Sequence, residues 1–351
     1  MTTISIIIPT YNRLHRLRQV VAGLARQTYP LDDVEIIIVS DGSTDGTDEY
    51  LHALSVPLHI IPVIQPNSGP SVARNTGIAH ATGDIVVFLD DDVVPTPRWL
   101  AEHMRMHAQQ PDAVVLGPMI SPLGFAMQPW VRWEQAMLMK QYTHMAEGVW
   151  KPSARQFYTG NTSLARRHLL YTGGFDESLR RAEDVELAYR LAEHKIEFVF
   201  NSAAIGLHYA ERSFDSWMRT PYAYGRSDVI FGRDKGHEWL LPELRHEFQK
   251  RNPLVQLLTQ VCIDRAALQR GVVAGLQAVA TNTERLGYEQ LTSHAYSALF
   301  NLRYYQGLAD EIGGWQRFIG TEDTAQTQTK ITREHMAFDS HESCGAHLVE
   351  L

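Results

Sequence analysis

Short runs of consecutive apolar residues alternate with stretches in which apolar residues recur every three or four positions, from Ile4 to about His208. Ile4-Ser5-Ile6-Ile7-Ile8, Val34 to Val39 and Ile85 to Leu89 are short and nearly unbroken, so each predicts a strand buried on both faces. Leu58 to Ile64 predicts a further strand. Between them, Leu14 to Gln27 carries Leu14, Leu17, Val20, Val21 and Leu24 at helical spacing. Thr47 to Leu54 predicts a short helix, and Ser71 is placed to cap another that runs to about Ala81. Strands alternating with helices imply right-handed crossovers and a mostly parallel sheet. Further on the pattern predicts a helix over Pro95 to Gln109, a strand over Ala113 to Leu116, and a strand from Tyr158 to Arg166 entering the floor of a site. Val185 to about His194 then predicts a helix, and Phe198–Phe200 with Ala203–Leu207 a last strand pair. Two long helices follow, Pro253 to about Ala280 and Glu284 to about Ile312, forming a hairpin. From Thr321 the chain is polar and unpatterned, which predicts a loose tail.

In parallel sheets ligands sit at the C-terminal strand edges. Here those edges carry Thr10 and Tyr11, then Asp41, then Asp90, Asp91 and Asp92. Three adjacent carboxylates repel one another, and a divalent cation relieves that cost. Extended geometry turns Asp90 and Asp92 one way and Asp91 the other, which suits an oxygen-ligand metal carrying substrate phosphates. The plainer alternative is a solvated acidic turn before the next helix. No Gly-x-Gly-x-x-Gly or P-loop follows the first strand. Asp41-x-Ser43-x-Asp45-Gly46 is similar to a calcium loop, but its twelfth position is His52 rather than a bidentate Glu. Glu183 and Asp184 open a helix. They are either ordinary first-turn acids favoured by the helix dipole or a pair whose mutual repulsion raises a pKa into a useful range for a base.

Composition changes this picture little. The 351 residues are 44% hydrophobic and 21% charged, as in ordinary soluble proteins. The net charge of −8 argues against a general nucleic-acid binder. Two cysteines, Cys262 and Cys344, lie far apart and fit a reducing compartment without a disulfide framework. No basic n-region precedes the first strand and no apolar run is long enough to span a bilayer, so a cytoplasmic protein is expected, at most peripheral to a membrane. Residues 118–158 are rich in Met, Trp and Tyr. They are consistent with a mobile loop, an amphipathic helix on a membrane surface, or a helix packed on the core. Asn161-Thr-Ser matches a glycosylation sequon, idle in a cytosolic chain.

Four motifs in order carry a resemblance: Ile-Ile-Ile-Pro-Thr-Tyr-Asn-Arg, Ile-Val-Ser-Asp-Gly-Ser-Thr-Asp, Gly-Pro-Ser-Val-Ala-Arg-Asn-Thr-Gly and Gly-Asp-Ile-Val-Val-Phe-Leu-Asp-Asp-Asp. With the later Gly-Gly-Phe-Asp-Glu…Glu-Asp spacing, residues 4 to 210 resemble the family-two inverting glycosyltransferases. Many members have Asp-Asp-Gly-Ser where this chain has Ser40-Asp41-Gly42-Ser43, and the second Asp of that motif is kept here. The resemblance implies an α/β GT-A fold, a mostly parallel central sheet flanked by helices, divided into a nucleotide-sugar-binding half (1–117) and an acceptor and catalytic-base half (118–212). Beyond it, helical spacing predicts a C-terminal helical extension (213–320) and polar composition a tail (321–351). The resemblance also implies transfer of a sugar from a nucleoside diphosphate donor, UDP-linked by expectation, to a hydroxyl of a saccharide or lipid-linked acceptor. Pro9, Thr10, Tyr11, Asp41, Asn67, Arg74, Asp90 and Asp91 are implied to hold the donor, Asp92 and His208 a Mn²⁺ or Mg²⁺ ion, and Asp184 to act as general base. Gln128 to Trp133 is similar to the Gln-x-x-Arg-Trp signature of processive synthases, but has one residue too many and precedes the base. The C-terminal helices are expected to pack on the catalytic domain or on a second copy of the chain. A nucleotidyltransferase lacks support, since the Gly-rich Arg-containing loop is missing. A silent sugar-nucleotide-binding scaffold would be expected to lack the Asp triplet or Asp184.

Overall fold

The computed structural model describes residues 2–320, and both Cys344 and the stretch expected to form a loose tail lie outside them. In chain order the elements are β1 (Ile4–Thr10), α1 (Leu14–Leu24), β2 (Val34–Asp41), α2 (Thr47–Ala53), β3 (His59–Gln65), α3 (Pro70–His80), β4 (Ile85–Leu89), β5 (Val93–Pro95), α4 (Trp99–Gln109), β6 (Val114–Leu116), β7 (Met119–Ile120), α5 (Pro129–Ala146), β8 (Asn161–Ala165), α6 (Arg166–Thr172), α7 (Glu183–Glu193), β9 (Phe198–Phe200) and β10 (Gly206–His208). Then come α8 (Phe214–Asp234), α9 (Leu240–Lys250), α10 (Pro253–Cys262), α11 (Ala266–Arg285), α12 (Glu289–Ile312) and α13 (Trp315–Ile319).

The chain divides into two compact units. One runs to Met127 and resumes over Gln135–Glu211; the other takes Gln128–Glu134 and the described residues from Arg212 on. The first unit is built on a sheet ordered β3-β2-β1-β4-β8-β6-β9. The pairs among β1 to β4 are parallel, whereas β8 runs antiparallel to both β4 and β6. The apolar runs of β1, β2 and β4 are buried along their whole length. Leu17, Val20, Val21 and Leu24 from α1 join Ile6, Ile8, Ile36, Ile38, Val87 and Leu89 in the core.

Three sequence expectations change here. Phe198–Phe200 and Ala203–Leu207 do not form a strand pair. β9 pairs with β6 in the main sheet, while β10 pairs with β5 and β7 in a small separate sheet. The expected helix from Pro253 to Ala280 is two helices, because Asp264 takes a left-handed conformation (φ 65°) and its carboxylate accepts from the Trp315 amide (3.0 Å). Ser71 does not cap α3. Gly69, at φ 98°, leads into Pro70 at the first helical position, and Ser71 instead donates to the Leu179 carbonyl.

The Met- and Trp-rich stretch resolves into the packed alternative. α5 buries Val131, Trp133, Tyr142 and Met145, with Tyr142 stacked on Phe200 (5.4 Å between rings). Among the described residues no helix is long and apolar enough to cross a membrane. In the second unit, Trp133 lies edge-on to Trp217 (5.8 Å) and against Phe300 (5.6 Å). There α8 and α12 cross with their backbones in contact. A Cβ on Gly307 would collide with the Tyr222 carbonyl, and one on Gly225 with that of Tyr304. Gly307→Ala is therefore expected to lower stability by about 1–3 kcal/mol through overpacking, despite alanine's better helix propensity. Chemical denaturation of the variant measures it, and an unchanged midpoint would contradict so close a crossing.

Candidate active site

The candidate side chains Thr10, Asp41 and Asp90 to Asp92 lie where β1, β2 and β4 end. Thr10 is buried at the end of β1 and its hydroxyl donates to Asp91 Oδ2 (2.7 Å), whereas Tyr11 is 51% exposed and Pro9 half-buried. Asn12 follows at φ 53°, a left-handed position that Asn tolerates well. Its Oδ1 accepts from the Thr44 amide (2.7 Å), which ties the loop after β1 to the loop after β2.

Asp41 ends β2, buried, with its carboxylate turned to the loop before α3. Oδ1 accepts from Gln65 Nε2 (2.7 Å) and the Ser68 amide (2.8 Å), and Oδ2 accepts from the Gly69 amide (2.9 Å). A carboxylate has about four acceptor positions, so Oδ2 keeps one open. Asn67 is exposed and donates to the Asp41 carbonyl (3.0 Å).

The three carboxylates after β4 do not alternate as an extended strand would make them. β4 stops at Leu89, and the Val93 amide closes a turn onto the Asp90 carbonyl (3.1 Å). Asp91 and Asp92 therefore both face Arg13, which ion-pairs with Asp92 and lies 3.9 Å from Asp91, while Asp90 faces Arg74. Burial, then the Asp92 charge, pushes Asp91 up to about 7. Burial also opposes ionisation of Asp92, but His208 and Arg13 outweigh it and hold that carboxyl well below the usual range. His208 reaches Asp92 because β10 pairs antiparallel with β5 in the register His208↔Val93; its Nε2 lies 3.6 Å from Asp92 Oδ1.

Arg74 is a buried bridge and not a surface arginine. Nη1 donates to Glu183 Oε1 (2.7 Å) and Nη2 to Asp90 Oδ1 (3.2 Å), while its Nε is buried without a partner among the described residues. Through this bridge the turn after β4 is joined to the first turn of α7. That turn is entered through Ala182 at φ 57°, and Asp184 Oδ1 accepts from the Val185 amide (2.9 Å). Burial, then the Glu183 charge, raises Asp184 to about 7. Gly160 lies beneath Asp90, and a Cβ there would stand 2.8 Å from Asp90 Oδ2.

The floor is a buried polar network. Asn161 Oδ1 accepts from Trp99 Nε1 (2.6 Å) and lies 2.9 Å from His103 Nε2, and Asn161 Nδ2 donates to the carbonyls of Pro118 (2.9 Å) and Ala204 (2.8 Å). Ser163 Oγ sits 2.8 Å from both His103 and His107. Burial pushes both imidazoles down to about 4, so they are neutral at physiological pH. Asn161 is fully buried, so its sequon is closed in the folded protein.

Among the described residues no three His, Cys, Asp or Glu side chains gather as a ready metal cage. Asp92 and His208 supply one oxygen and one nitrogen donor side by side. That pair would suit a Mn²⁺ or Mg²⁺ ion, with further oxygen ligands left for a phosphate-bearing substrate to supply. The sequence assigns no role to Arg13, although it closes the first motif, or to Gly160, and it gives Glu183 only the role of an acid beside Asp184, not that of a partner for Arg74. The contacts that define these three are distant in sequence.

The model of a known family, Glycosyl transferase family 2, matches residues 5–173. Validoxylamine A glucosyltransferase of Streptomyces hygroscopicus subsp. jinggangensis is 32% identical over 329 residues, covering 83% of this chain and 69% of that protein. The pre-mycofactocin glycosyltransferase of Mycobacterium tuberculosis is 30% identical over 231 residues, and the match spans 46% of its length. Among solved structures, the mannosyltransferase PcManGT from Pyrobaculum calidifontis in complex with GDP-Man and Mn²⁺ superposes with a TM-score of 0.60 at 19% identity, covering 88% of each chain. S. aureus TarS 1-349 in complex with UDP gives 0.51 at 18% identity, over 87% of this chain and 90% of that one.

Proposed function

The chain belongs to glycosyl transferase family 2 and is a glycosyltransferase with the GT-A fold; from that premise we propose that it transfers a sugar with inversion from a UDP-sugar to a hydroxyl of a saccharide or lipid-linked acceptor, in a reaction dependent on a divalent metal. Pro9, Thr10, Tyr11, Asp41, Asn67, Arg74, Asp90 and Asp91 line the donor, Asp92 and His208 hold the metal, and Asp184 is the general base. The observation that carries this reading is the Asp90–Arg74–Glu183 bridge. It ties the donor end of β4 to the helix start that bears Asp184, with a guanidinium between them.

In this reading the acceptor hydroxyl gives its proton to Asp184 as its oxygen bonds to the anomeric carbon, and the bond from that carbon to the diphosphate breaks on the opposite face. A base raised to about 7 accepts that proton readily near neutral pH. Mn²⁺ or Mg²⁺, when bound, supplies positive charge to the departing diphosphate. Arg74 stands between Asp90 and Glu183 and offsets their negative charge next to an anionic donor. Burial of Thr10 and Asp41 and the rigid turn after β4 fix the donor's position before the acceptor arrives. Among the relatives, one structure holds UDP and another GDP-Man with Mn²⁺.

A thermal-shift screen of UDP, GDP, CDP and dTDP with Mn²⁺, Mg²⁺ or chelator tests the proposal. UDP with metal is expected to raise the melting temperature, and chelator to abolish the shift. A shift with GDP alone would overturn the UDP assignment, and a shift indifferent to chelator would overturn the metal.

A further inference from the structure

The segment between α6 and α7 is latched onto α3. Asn75 accepts from the Phe175 amide (2.8 Å) and donates to the Phe175 carbonyl and to Glu177 Oε1 (both 2.9 Å), and Ser71 Oγ donates to the Leu179 carbonyl (2.7 Å). Leu179 is buried and Ala182 is fixed in its left-handed turn. Arg180 stands between these anchors with an exposed side chain and, among the described residues, no hydrogen-bond or ion-pair partner. Its guanidinium lies over Gly69, where Nη1 would be 3.6 Å from a Cβ at that residue. Gly69 is the residue whose amide occupies Asp41 Oδ2. A charged guanidinium held by its backbone over the loop before α3, with no counter-ion among the described residues, is placed to receive a ligand.

Position along the sheet decides which part of the ligand. β2, with Asp41, is separated from β4 by β1, so Asp41 stands about 10 Å from the Asp90–Asp92 turn at two strand spacings. That is the reach from a nucleotide's base to its diphosphate. We infer that Arg180 closes over the nucleobase and, with Asp41, reads its edge, so that the site takes donors whose base carries a lactam. This rests on the donor reading above. Asp41 Oδ2, with one acceptor position open, takes a ring N–H, and Arg180 donates to the neighbouring carbonyl. Uracil, thymine and guanine present that pair. Cytosine and adenine present a bare ring nitrogen toward the carboxylate and an amino group toward the guanidinium, so both contacts are lost.

Titration calorimetry with Mn²⁺ present on wild type and Arg180→Ala, using UDP, GDP, CDP and inorganic pyrophosphate, tests this. Wild type is expected to bind UDP or GDP at least tenfold more tightly than CDP. Arg180→Ala should weaken the better of the two about tenfold or more, the loss of one charge-assisted hydrogen bond, and leave CDP and pyrophosphate unchanged. Because Arg180 is exposed, its melting temperature should match wild type. Unchanged affinity for UDP and GDP would remove Arg180 from the site, and an equal loss for pyrophosphate would move it to the diphosphate. Wild type that binds pyrophosphate but gains nothing from any base would overturn base reading alone. Wild type that binds none of the four would overturn the donor reading itself.

Discussion

Asp184→Asn is expected to slow sugar transfer on the order of 1000-fold, within the range for loss of a general base, while nucleotide affinity stays within about twofold of wild type. The substitution changes little else. Asn keeps the oxygen that accepts the Val185 amide, so the start of α7 survives, and Arg74 retains Glu183 and Asp90. What is lost is the ability to take a proton. Stability separates a disabled base from a damaged fold. Burial raises Asp184 in the native protein above its unfolded value. Its contribution to stability is therefore fully present below about pH 4, the ordinary range of an Asp, and is lost as pH rises through about 7. Removing the charge should make Asp184→Asn at least as stable as wild type at neutral pH. The same shift predicts that wild-type kcat/KM falls about tenfold per pH unit below about 7, since only the unprotonated base works. Transfer by Asp184→Asn within tenfold of wild type would assign the proton to another group.

Asp92→Ala is expected to erase the increment in nucleotide affinity that metal provides, a loss of at least about 100-fold, since even indirect supports of metal ligands cost 10–100-fold. Affinity alone is the wrong readout. Arg13 pairs with Asp92, and freeing that guanidinium adds a cation beside the diphosphate, which partly restores binding without metal. Calorimetry of UDP with Mn²⁺ and with chelator isolates the difference. A metal increment as large as wild type's would exclude Asp92 as a ligand. Loss of the increment in His208→Ala as well would support the two-residue site.

Much of this was legible from local pattern. The continuous apolar runs of β1, β2 and β4 can only be satisfied by burial on both faces, and the ligand side of a parallel sheet follows from strand direction. So strand direction alone puts Thr10, Asp41 and Asp90 to Asp92 at one rim. What escaped depends on partners distant in sequence. Nothing near Arg74 announces Glu183, which lies beyond five more strands and three more α-helices. The alternation rule misplaced Asp91 because the strand ends one residue earlier than the run of carboxylates, and a turn reverses the faces. Nearness in sequence matches β10 with β9, but its partners are β5 and β7, both far earlier in the chain. The break at Asp264 has no Pro or Gly to mark it, and the apolar spacing of the flanking helices continues across it.

The buried amide of Asn161 also bears on how this protein can be produced. Its Nδ2 spends both hydrogens on the Pro118 and Ala204 carbonyls, and its side chain has no room for a substituent. In a eukaryotic secretory host the glycosylation machinery meets the Asn161-Thr162-Ser163 sequon while the chain is still unfolded, and a glycan attached to that nitrogen would bar β8 from its slot between β4 and β6. Bacterial or cytosolic expression avoids the trap. A yeast or mammalian secretion system would yield chains sorted by whether folding outran the transfer of the glycan.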